Sequence, residues 1–245
     1  MMNNNDHIYN EKLSTINTFK FDQRVVNVFN DMISRSVPGY TQIINLLPSL
    51  TRCFQFPNLH YYDLGCSLGA GMIAMAKGLK EVECDIVGID NSTAMLEKAS
   101  PILNQQLHGF TPNHQLLSED LNKTNLEPAG MVLMNFTLQF IAIQNRKSLI
   151  DKIYTSLVEG GAFILSEKIS FADDTTNSVL IDIHHQFKAD QGYSQLEISQ
   201  KRDALENVLI PEPLESHMDR LKEAGFSVVT PWIQNLQFIS ILAIK

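Results

Sequence analysis

The chain has 245 residues, 44% of them hydrophobic, and its 19 basic and 27 acidic residues give a net charge of −8. The hydrophobic share excludes a disordered chain, and the length suits one decorated α/β domain better than two domains. Because the sequence has neither a run of about 18 apolar residues nor a basic-then-apolar start, we expect no membrane span and no secretory signal. The acidic balance, without any Lys/Arg-rich run, favours a small-molecule substrate over direct nucleic-acid binding.

The first part of the chain predicts an arm followed by a helical cap. Residues 1–20 are polar and rich in Asn, so we expect a flexible N-terminal arm. Apolar residues at helical spacing predict a helix over 24–34, and a second helix is predicted over 40–50. Both precede the first convincing strand, and we assign 21–57 to a helical cap.

From residue 60 onward, predicted strands alternate with predicted helices. The strands are expected at 60–64, 85–90, 115–117, 130–135 and 161–167, and the helices at 70–79, 93–103 and 145–157. Glu159-Gly160-Gly161 is expected to end the last of these helices. This alternation is typical of a parallel sheet covered on both faces, and right-handed crossovers make it doubly wound.

The C-terminal third departs from that alternation. We interpret 170–212 as a largely helical insertion, followed by a helix over 214–224. Two strands, 226–232 and 236–244, are expected to form a hairpin with its turn at 233–235, which adds an antiparallel strand to the sheet. Residues 21–245 are therefore expected to form a single α/β domain.

The strongest local signal is the segment Asp63-Leu64-Gly65-Cys66-Ser67-Leu68-Gly69, which follows the first strand. Glycine and other small residues let the backbone approach a ligand closely at the carboxyl end of a strand. The spacing is not that of the G-x-G-x-x-G dinucleotide fingerprint. The acid at its start would repel phosphate and favour a cationic or amine-bearing ligand, although a plain tight turn is the alternative reading.

Three further polar residues follow the ends of predicted strands. Asp90 stands where an acid can accept both hydroxyls of a ribose, and capping of the next helix is its other reading. Asp120 stands where an adenine amino group would lie, or is a solvated loop acid. Asn135 ends the fourth strand, where ligand-facing groups collect, or lies in a surface turn. With the glycine loop, these positions fit a nucleoside that carries a cationic amino-acid tail, namely S-adenosyl-L-methionine (SAM).

This constellation resembles the class I SAM-dependent methyltransferase fold from about Tyr61 to the C-terminus. The resemblance implies a seven-stranded, Rossmann-like sheet, mostly parallel, with an antiparallel C-terminal strand. The resemblance is more specific in several segments, which look like the carboxy-S-adenosyl-L-methionine synthase family. These segments extend the likeness back to Phe21. These segments are 35–40, 62–67, 135–140, 165–168, 184–188, 199–202 and 205–208. The chain departs from the family pattern at its polar start, at Gln195 and at 235–237.

The family resemblance implies a reaction and a set of site residues. Members of the family convert SAM and prephenate to carboxy-SAM and phenylpyruvate, and they are homodimers. A partner enzyme then uses the product to carboxymethylate the wobble uridine of certain tRNAs. Tyr40 and Arg202, inferred from the resemblance alone, are the implied catalytic residues, with the Arg202 guanidinium pairing the new carboxylate. The implied SAM contacts are Tyr40, Gly65, Cys66, Ser67, Asp90, Asn91, Asp120, Leu121, Asn135 and Arg202.

Both Tyr40 and Arg202 also have a purely structural interpretation. Tyr40 could be an ordinary core tyrosine, and Arg202 an exposed helix residue that pairs with Glu206. Cys53, Cys66 and Cys84 cannot all pair, and their spacing lacks the C-x-x-C form of a zinc site. We therefore expect a reducing, cytoplasmic setting. Metal binding is disfavoured because the adjacent His184 and His185 would point to different helix faces.

Three rival functions share parts of this sequence pattern. An ordinary methyltransferase acting on tRNA or a small metabolite would use the same SAM-binding residues. A catalytically silent SAM-binding partner of a tRNA-modifying enzyme would also keep them. A nicotinamide dehydrogenase is the weakest rival, because Asp63 and the glycine spacing do not suit a pyrophosphate.

Overall fold

The computed structural model describes residues 5–245, which form helices packed around one twisted sheet. The strands are β1 His60–Leu64, β2 Asp85–Asp90, β3 Asn113–Ser118, β4 Ala129–Asn135, β5 Leu157–Ser170, β6 Glu212–Pro213, β7 Val228–Asn235 and β8 Phe238–Ile244. The helices are α1 Gln23–Ser36, α2 Tyr40–Arg52, α3 Ala70–Gly78, α4 Thr93–Gln106, α5 Ile143–Ser156, α6 Asp174–Asp190, α7 Gln195–Leu205 and α8 Leu214–Ala224.

The strand order β3-β2-β1-β4-β5-β8-β7 defines where a ligand can bind. Strands β1 to β5 pair in parallel, whereas β8 runs antiparallel to both β5 and β7. The expected doubly wound, mostly parallel sheet with an antiparallel C-terminal strand is confirmed. Because the winding direction reverses between β1 and β4, a crevice opens at the carboxyl ends of these strands.

Burial explains why the central strands lie where they do. Strand β4 is apolar without alternation, and its residues Met131 to Met134 are fully buried because helices cover both faces of the sheet. One hydrophobic cluster lies between the sheet and α5 and α8, and a second lies between the sheet and α2, α3 and α4. This rigid centre holds the polar residues at the strand ends in fixed positions.

Two predicted boundaries are wrong. Helix α5 ends at Ser156, before the two glycines, because Leu157 already pairs with Ala129 as part of β5. Gly160, at φ +75°, lies in the irregular start of that strand and does not end the helix. The C-terminal turn lies at 236–237 rather than at 233–235, because Ile233 and Asn235 still pair with β8 after the irregularity at Pro231.

The described part of the N-terminal segment, residues 5–20, contains no helix or strand but packs on α7. The Gln200 side chain accepts a hydrogen bond from the Leu13 N–H at 2.8 Å and donates to the carbonyls of Tyr9 and Glu11 at 2.9 and 2.8 Å. Residues 1–4 of the predicted arm lie outside the described residues, and the flexibility of the arm stays a prediction. Within residues 5–245, no helix combines the length and apolarity that crossing a bilayer requires.

Candidate substrate-binding site

A cavity of about 360 Å³ opens at the carboxyl ends of the central strands and is covered by α1, α6 and α7. A smaller pocket of about 30 Å³ shares part of its wall. Of the residues predicted to bind SAM, most line the larger cavity: Gly65, Ser67, Asp90, Asn91, Asp120, Leu121 and Asn135. Tyr40 and Cys66 line the smaller pocket, which Gly65, Ser67 and Asn135 also line. The sequence therefore identified residues that the fold brings together.

The glycine loop after β1 is held tightly between its neighbours. Gly65 has φ +81°, and a Cβ atom there would lie 2.3 Å from the Thr137 Oγ1 atom. Its N–H donates to the carbonyl of Ile89 at 2.7 Å, as the Cys66 N–H does at 3.1 Å. Only glycine combines that backbone angle with that close approach, so the loop forms a wall made of backbone.

Asp90, the last residue of β2, connects this loop to α4. One carboxylate oxygen accepts the Ser67 N–H at 2.9 Å, and the other accepts the Ser92 N–H at 2.9 Å. Each oxygen of a carboxylate has a further lone pair, so both remain able to accept ribose hydroxyls. Burial raises the pKa of Asp90, while the backbone hydrogen bonds oppose that rise.

Asp63 lies within β1 and is 2% exposed. It accepts the Met72 N–H at 3.0 Å and so fixes the start of α3 next to the loop. Burial raises the pKa of Asp63 to about 7, and the nearby Asp90 adds to the rise. Burial also raises the pKa of Tyr40, which lines the same small pocket, so its phenol stays protonated and can donate a hydrogen bond.

The end of the cavity at Asp120, where the sequence predicts the adenine, is more exposed. Asp120 lies two residues beyond β3 and accepts both the backbone and the side-chain amide of Asn122, at 2.9 and 2.8 Å. These hydrogen bonds lower the pKa of Asp120, so the carboxylate is charged. Leu121 beside it is 7% exposed and forms an apolar part of the cavity wall.

Asn135 has a buried acceptor atom that faces the cavity region. It ends β4 and lines both the cavity and the small pocket. Its Oδ1 atom is buried and has no hydrogen-bond partner among residues 5–245. A buried acceptor of this kind normally finds a partner. A donor on the ligand, such as the amino group of SAM, would satisfy it.

Arg202 does not line the cavity in the single chain. Its side chain is 63% exposed on α7 and pairs with Asp203 at 3.2 Å, rather than with Glu206. The structure of the single chain therefore does not bring Arg202 to the other predicted SAM contacts, and its role stays a prediction.

Sequence reasoning missed the lysines of this cavity. Lys168 at the end of β5, Lys188 on α6 and Lys201 on α7 line it, together with His184. All of them stand within segments that carry the family resemblance, which is the signal that could have found them. Over residues 5–245, no group of three or more His, Cys, Asp or Glu side chains is arranged to hold a metal ion.

The fold and the site together define a class I SAM-binding protein of the methyltransferase type. A family described as "Methyltransferase domain" matches residues 62–163. A solved structure of a candidate SAM-dependent methyltransferase from Methanococcus maripaludis superposes with a TM-score of 0.60 over 96% of this chain and 97% of that one, at 20% identity. That likeness shows the fold alone.

Full-length relatives then identify the family. The chain is 44% identical over 250 residues to the carboxy-S-adenosyl-L-methionine synthase of Hahella chejuensis, with 100% of both chains covered. It is 46% identical over 245 residues to the enzyme of the same name from Trichlorobacter lovleyi, again with 100% of both covered. The chain belongs to the carboxy-S-adenosyl-L-methionine synthase family.

Proposed function

We propose that this protein converts SAM and prephenate to carboxy-SAM and phenylpyruvate. The observation that carries the proposal is the shape of the cavity. Its lining continues past the strand-end residues of β1, β2 and β4 to side chains of α6 and α7, so groups beyond those predicted to bind SAM face the same space. A full-length match to synthases of this name supports the same reaction.

The proposed reaction balances in atoms and charge. Prephenate loses its ring carboxylate as carbon dioxide and its ring hydroxyl as hydroxide, which makes the ring aromatic and leaves phenylpyruvate. The hydroxide removes a proton from the SAM methyl group and becomes water, because the adjacent sulfonium acidifies that group. The methyl carbon forms its new bond to the carbon dioxide, which gives the carboxymethyl sulfonium of carboxy-SAM.

The chain contributes by holding the two substrates together and by excluding water. Released carbon dioxide would diffuse away from an open site, so proximity supplies much of the rate. Phe19, Phe21 and Phe29 line the cavity from the N-terminal segment and α1, and Phe140 lines it from the turn after β4. Aromatic side chains on these walls keep water away from the reacting carbon.

We infer that the protein works as a homodimer, in which Arg202 serves the site of the partner subunit. Arg202 does not line the cavity of its own chain, and the two helices α6 and α7 carry exposed apolar side chains. Val179 and Ile183 on α6 are 51% and 45% exposed, and Leu196 on α7 is 37% exposed. Burial of such side chains between two copies would be favourable and would bring α7 against a second molecule.

A wider role follows from the proposed product. Carboxy-SAM is a carboxymethyl donor, and we propose that a tRNA-modifying enzyme consumes it at wobble uridines. The three cysteines are free thiols, which supports a reducing, cytoplasmic location.

The reaction is tested with prephenate labelled with carbon-13 in its ring carboxylate. We expect the purified protein to return a SAM derivative heavier by one carboxyl group, with the label in that group, and to form phenylpyruvate in equal amount. Without prephenate, SAM should remain unchanged. Methyl transfer to tRNA or to a metabolite, without a carboxylated SAM derivative, would identify an ordinary methyltransferase. SAM binding without any product would identify a silent binding partner.

A further inference from the structure

The described residues place three lysines around one end of the cavity. Lys168 comes from the end of β5, Lys188 from α6 and Lys201 from α7, and all three line the same space. Lys188 and Lys201 are 9% and 6% exposed. Three separate elements thus direct cationic groups at one region, in a protein whose net charge is −8.

Few anions of the protein compensate these charges. Among the ion pairs formed within residues 5–245, Lys201 lies 3.5 Å from Asp6, and neither Lys168 nor Lys188 takes part in any. Burial of charge without a partner is costly. With all groups ionised, this end of the cavity carries two more positive than negative charges.

The polar groups beside the lysines do not replace an anion. Lys201 Nζ donates to the Ser36 hydroxyl at 2.9 Å. His184 lies one helical turn before Lys188, and burial lowers its pKa to about 3, so its ring is neutral. Its Nε2 atom lies 2.8 Å from the Ser36 carbonyl, which can only accept, so Nε2 carries the proton. These contacts orient the region and add no negative charge.

The opposite end of the cavity has the reverse polarity. Asp90 and Asp120 line it with carboxylates that suit the cationic SAM nucleoside. A sulfonium held between those acids and the lysines would be repelled by the ammonium groups unless an anion lay between them. The arrangement therefore favours a negatively charged second ligand between SAM and α6.

We propose that Lys168, Lys188 and Lys201 form the binding site for the two carboxylates of the second substrate. The inference deepens the proposed function, on which it rests, by assigning the residues that hold a dicarboxylate next to the SAM methyl group. Two carboxylates neutralise the excess charge of the three lysines and Asp6. The monocarboxylate product neutralises only part of it, so the site retains substrate and releases product.

The lowered pKa values of the lysines agree with this geometry. Burial lowers the pKa of Lys188 to about 7, with Lys201 and Lys168 contributing by repulsion. Burial also lowers the pKa of Lys201 to about 8, and that of Lys168 falls too. A bound dianion would restore the charged form of each.

The test separates binding from turnover by using benzylmalonate, a stable dicarboxylate that cannot release hydroxide. Isothermal titration with SAM present should show binding to the wild type, and Lys188→Met and Lys168→Met should each weaken it about tenfold or more. The same variants should raise the KM for prephenate while keeping the wild-type Kd for SAM. Lys77→Met, on the exposed last turn of α3, is the matched control and should change neither value.

Each result decides a different point. The subsite is wrong if benzylmalonate does not bind the wild type, or if both variants bind it within twofold of wild type. It is also wrong if SAM affinity falls as much as dianion affinity, because the lysines would then hold the SAM carboxylate. Lysine-dependent binding of benzylmalonate without any carboxylated product would keep the subsite and reject the proposed reaction. If carboxylated product forms and both variants bind benzylmalonate like the wild type, the proposed reaction stands and the lysine subsite is rejected.

Discussion

The backbone N–H of Ser67 donates to the Asp90 carboxylate at 2.9 Å and so joins the loop after β1 to the end of β2. The same carboxylate accepts the Ser92 N–H at the start of α4. One side chain thus fixes two backbone segments and presents its remaining lone pairs to the cavity. The residue predicted to bind the ribose and the shape of the loop are therefore coupled.

Replacement of Asp90 should separate these two roles. Asp90→Asn keeps one carbonyl oxygen for a backbone N–H but replaces the other acceptor with a donor, so we expect SAM affinity to fall about tenfold or more. Titration calorimetry with SAM measures the effect. Asp85→Asn, at the opposite end of the same strand, is the control and should bind SAM like the wild type. Equal affinity of Asp90→Asn and wild type would remove Asp90 from the ribose site.

The close approach of Gly65 to Thr137 predicts a cost in stability. Gly65→Ala would place a Cβ 2.3 Å from Thr137 Oγ1 at φ +81°, so it adds a steric clash to backbone strain. We expect it to lower the free energy of unfolding by about 2–4 kcal/mol. Gly109→Ala has a similar φ of +79° and nothing within 4 Å, so it should cost only about 1 kcal/mol. Urea unfolding of both variants isolates the clash, and equal losses would contradict it.

The sequence was sufficient to predict the positions of residues that end strands, while their roles stay predictions. Asp90 and Asn135 could be placed from the alternation of strands and helices alone, because parallel strands bring their carboxyl ends to one edge. For Asp63 the sequence predicted an acid near the ligand but not its hydrogen bond to the Met72 N–H. That bond depends on how α3 packs on β1.

The lysine site could not be derived in this way. Lys168, Lys188 and Lys201 lie on three elements whose approach depends on the fold of the insertion, and no spacing in the sequence connects them. The prediction that the glycines at 160–161 end α5 was wrong for a related reason. Leu157 pairs with Ala129 as part of β5, and this pairing ends the helix before the glycines. Tertiary contacts decided each case.

The lowered lysine pKa values predict that dianion binding depends on pH. Lys188 and Lys201 have pKa values of about 7 and 8, below their ordinary value of 10.5, chiefly because burial disfavours the charged forms. Lys201 and Lys168 repel the Lys188 charge, and Arg35 repels the Lys201 charge while Asp6 and Asp31 oppose that shift. The dianion binds the protonated lysines, so its affinity should be highest below pH 7 and should fall as pH rises through 7 to 8. His184, with its pKa of about 3, and Asp6 beside Lys201 do not reverse that sign.

The coupling between dianion binding and lysine protonation can be measured directly as proton uptake. Benzylmalonate binding at pH 8 should take up protons, which titrations in two buffers of different ionisation enthalpy reveal, whereas binding at pH 6 should take up few. Without ligand, the lowered pKa values imply that stability rises with pH above 7 toward the unfolded value of 10.5. Lys188→Met should reduce both the proton uptake on binding at pH 8 and the rise of stability with pH. Proton release on binding at pH 8 would contradict the assignment.

The exposed position of Arg202 predicts complementation between two inactive variants. If Arg202 acts across a homodimer, Arg202→Ala should form little carboxy-SAM, and Arg202→Lys should also lose most product while keeping SAM affinity, because an ammonium lacks the planar fork. Mixing Arg202→Ala with Asp90→Ala, after subunit exchange, should restore about a quarter of wild-type activity. Half of the dimers are then mixed, and each mixed dimer has one intact site, composed of Asp90 from one subunit and Arg202 from the other. No recovery in a mixture that sedimentation shows to be dimeric and exchanged would place Arg202 in its own subunit's site or outside the reaction.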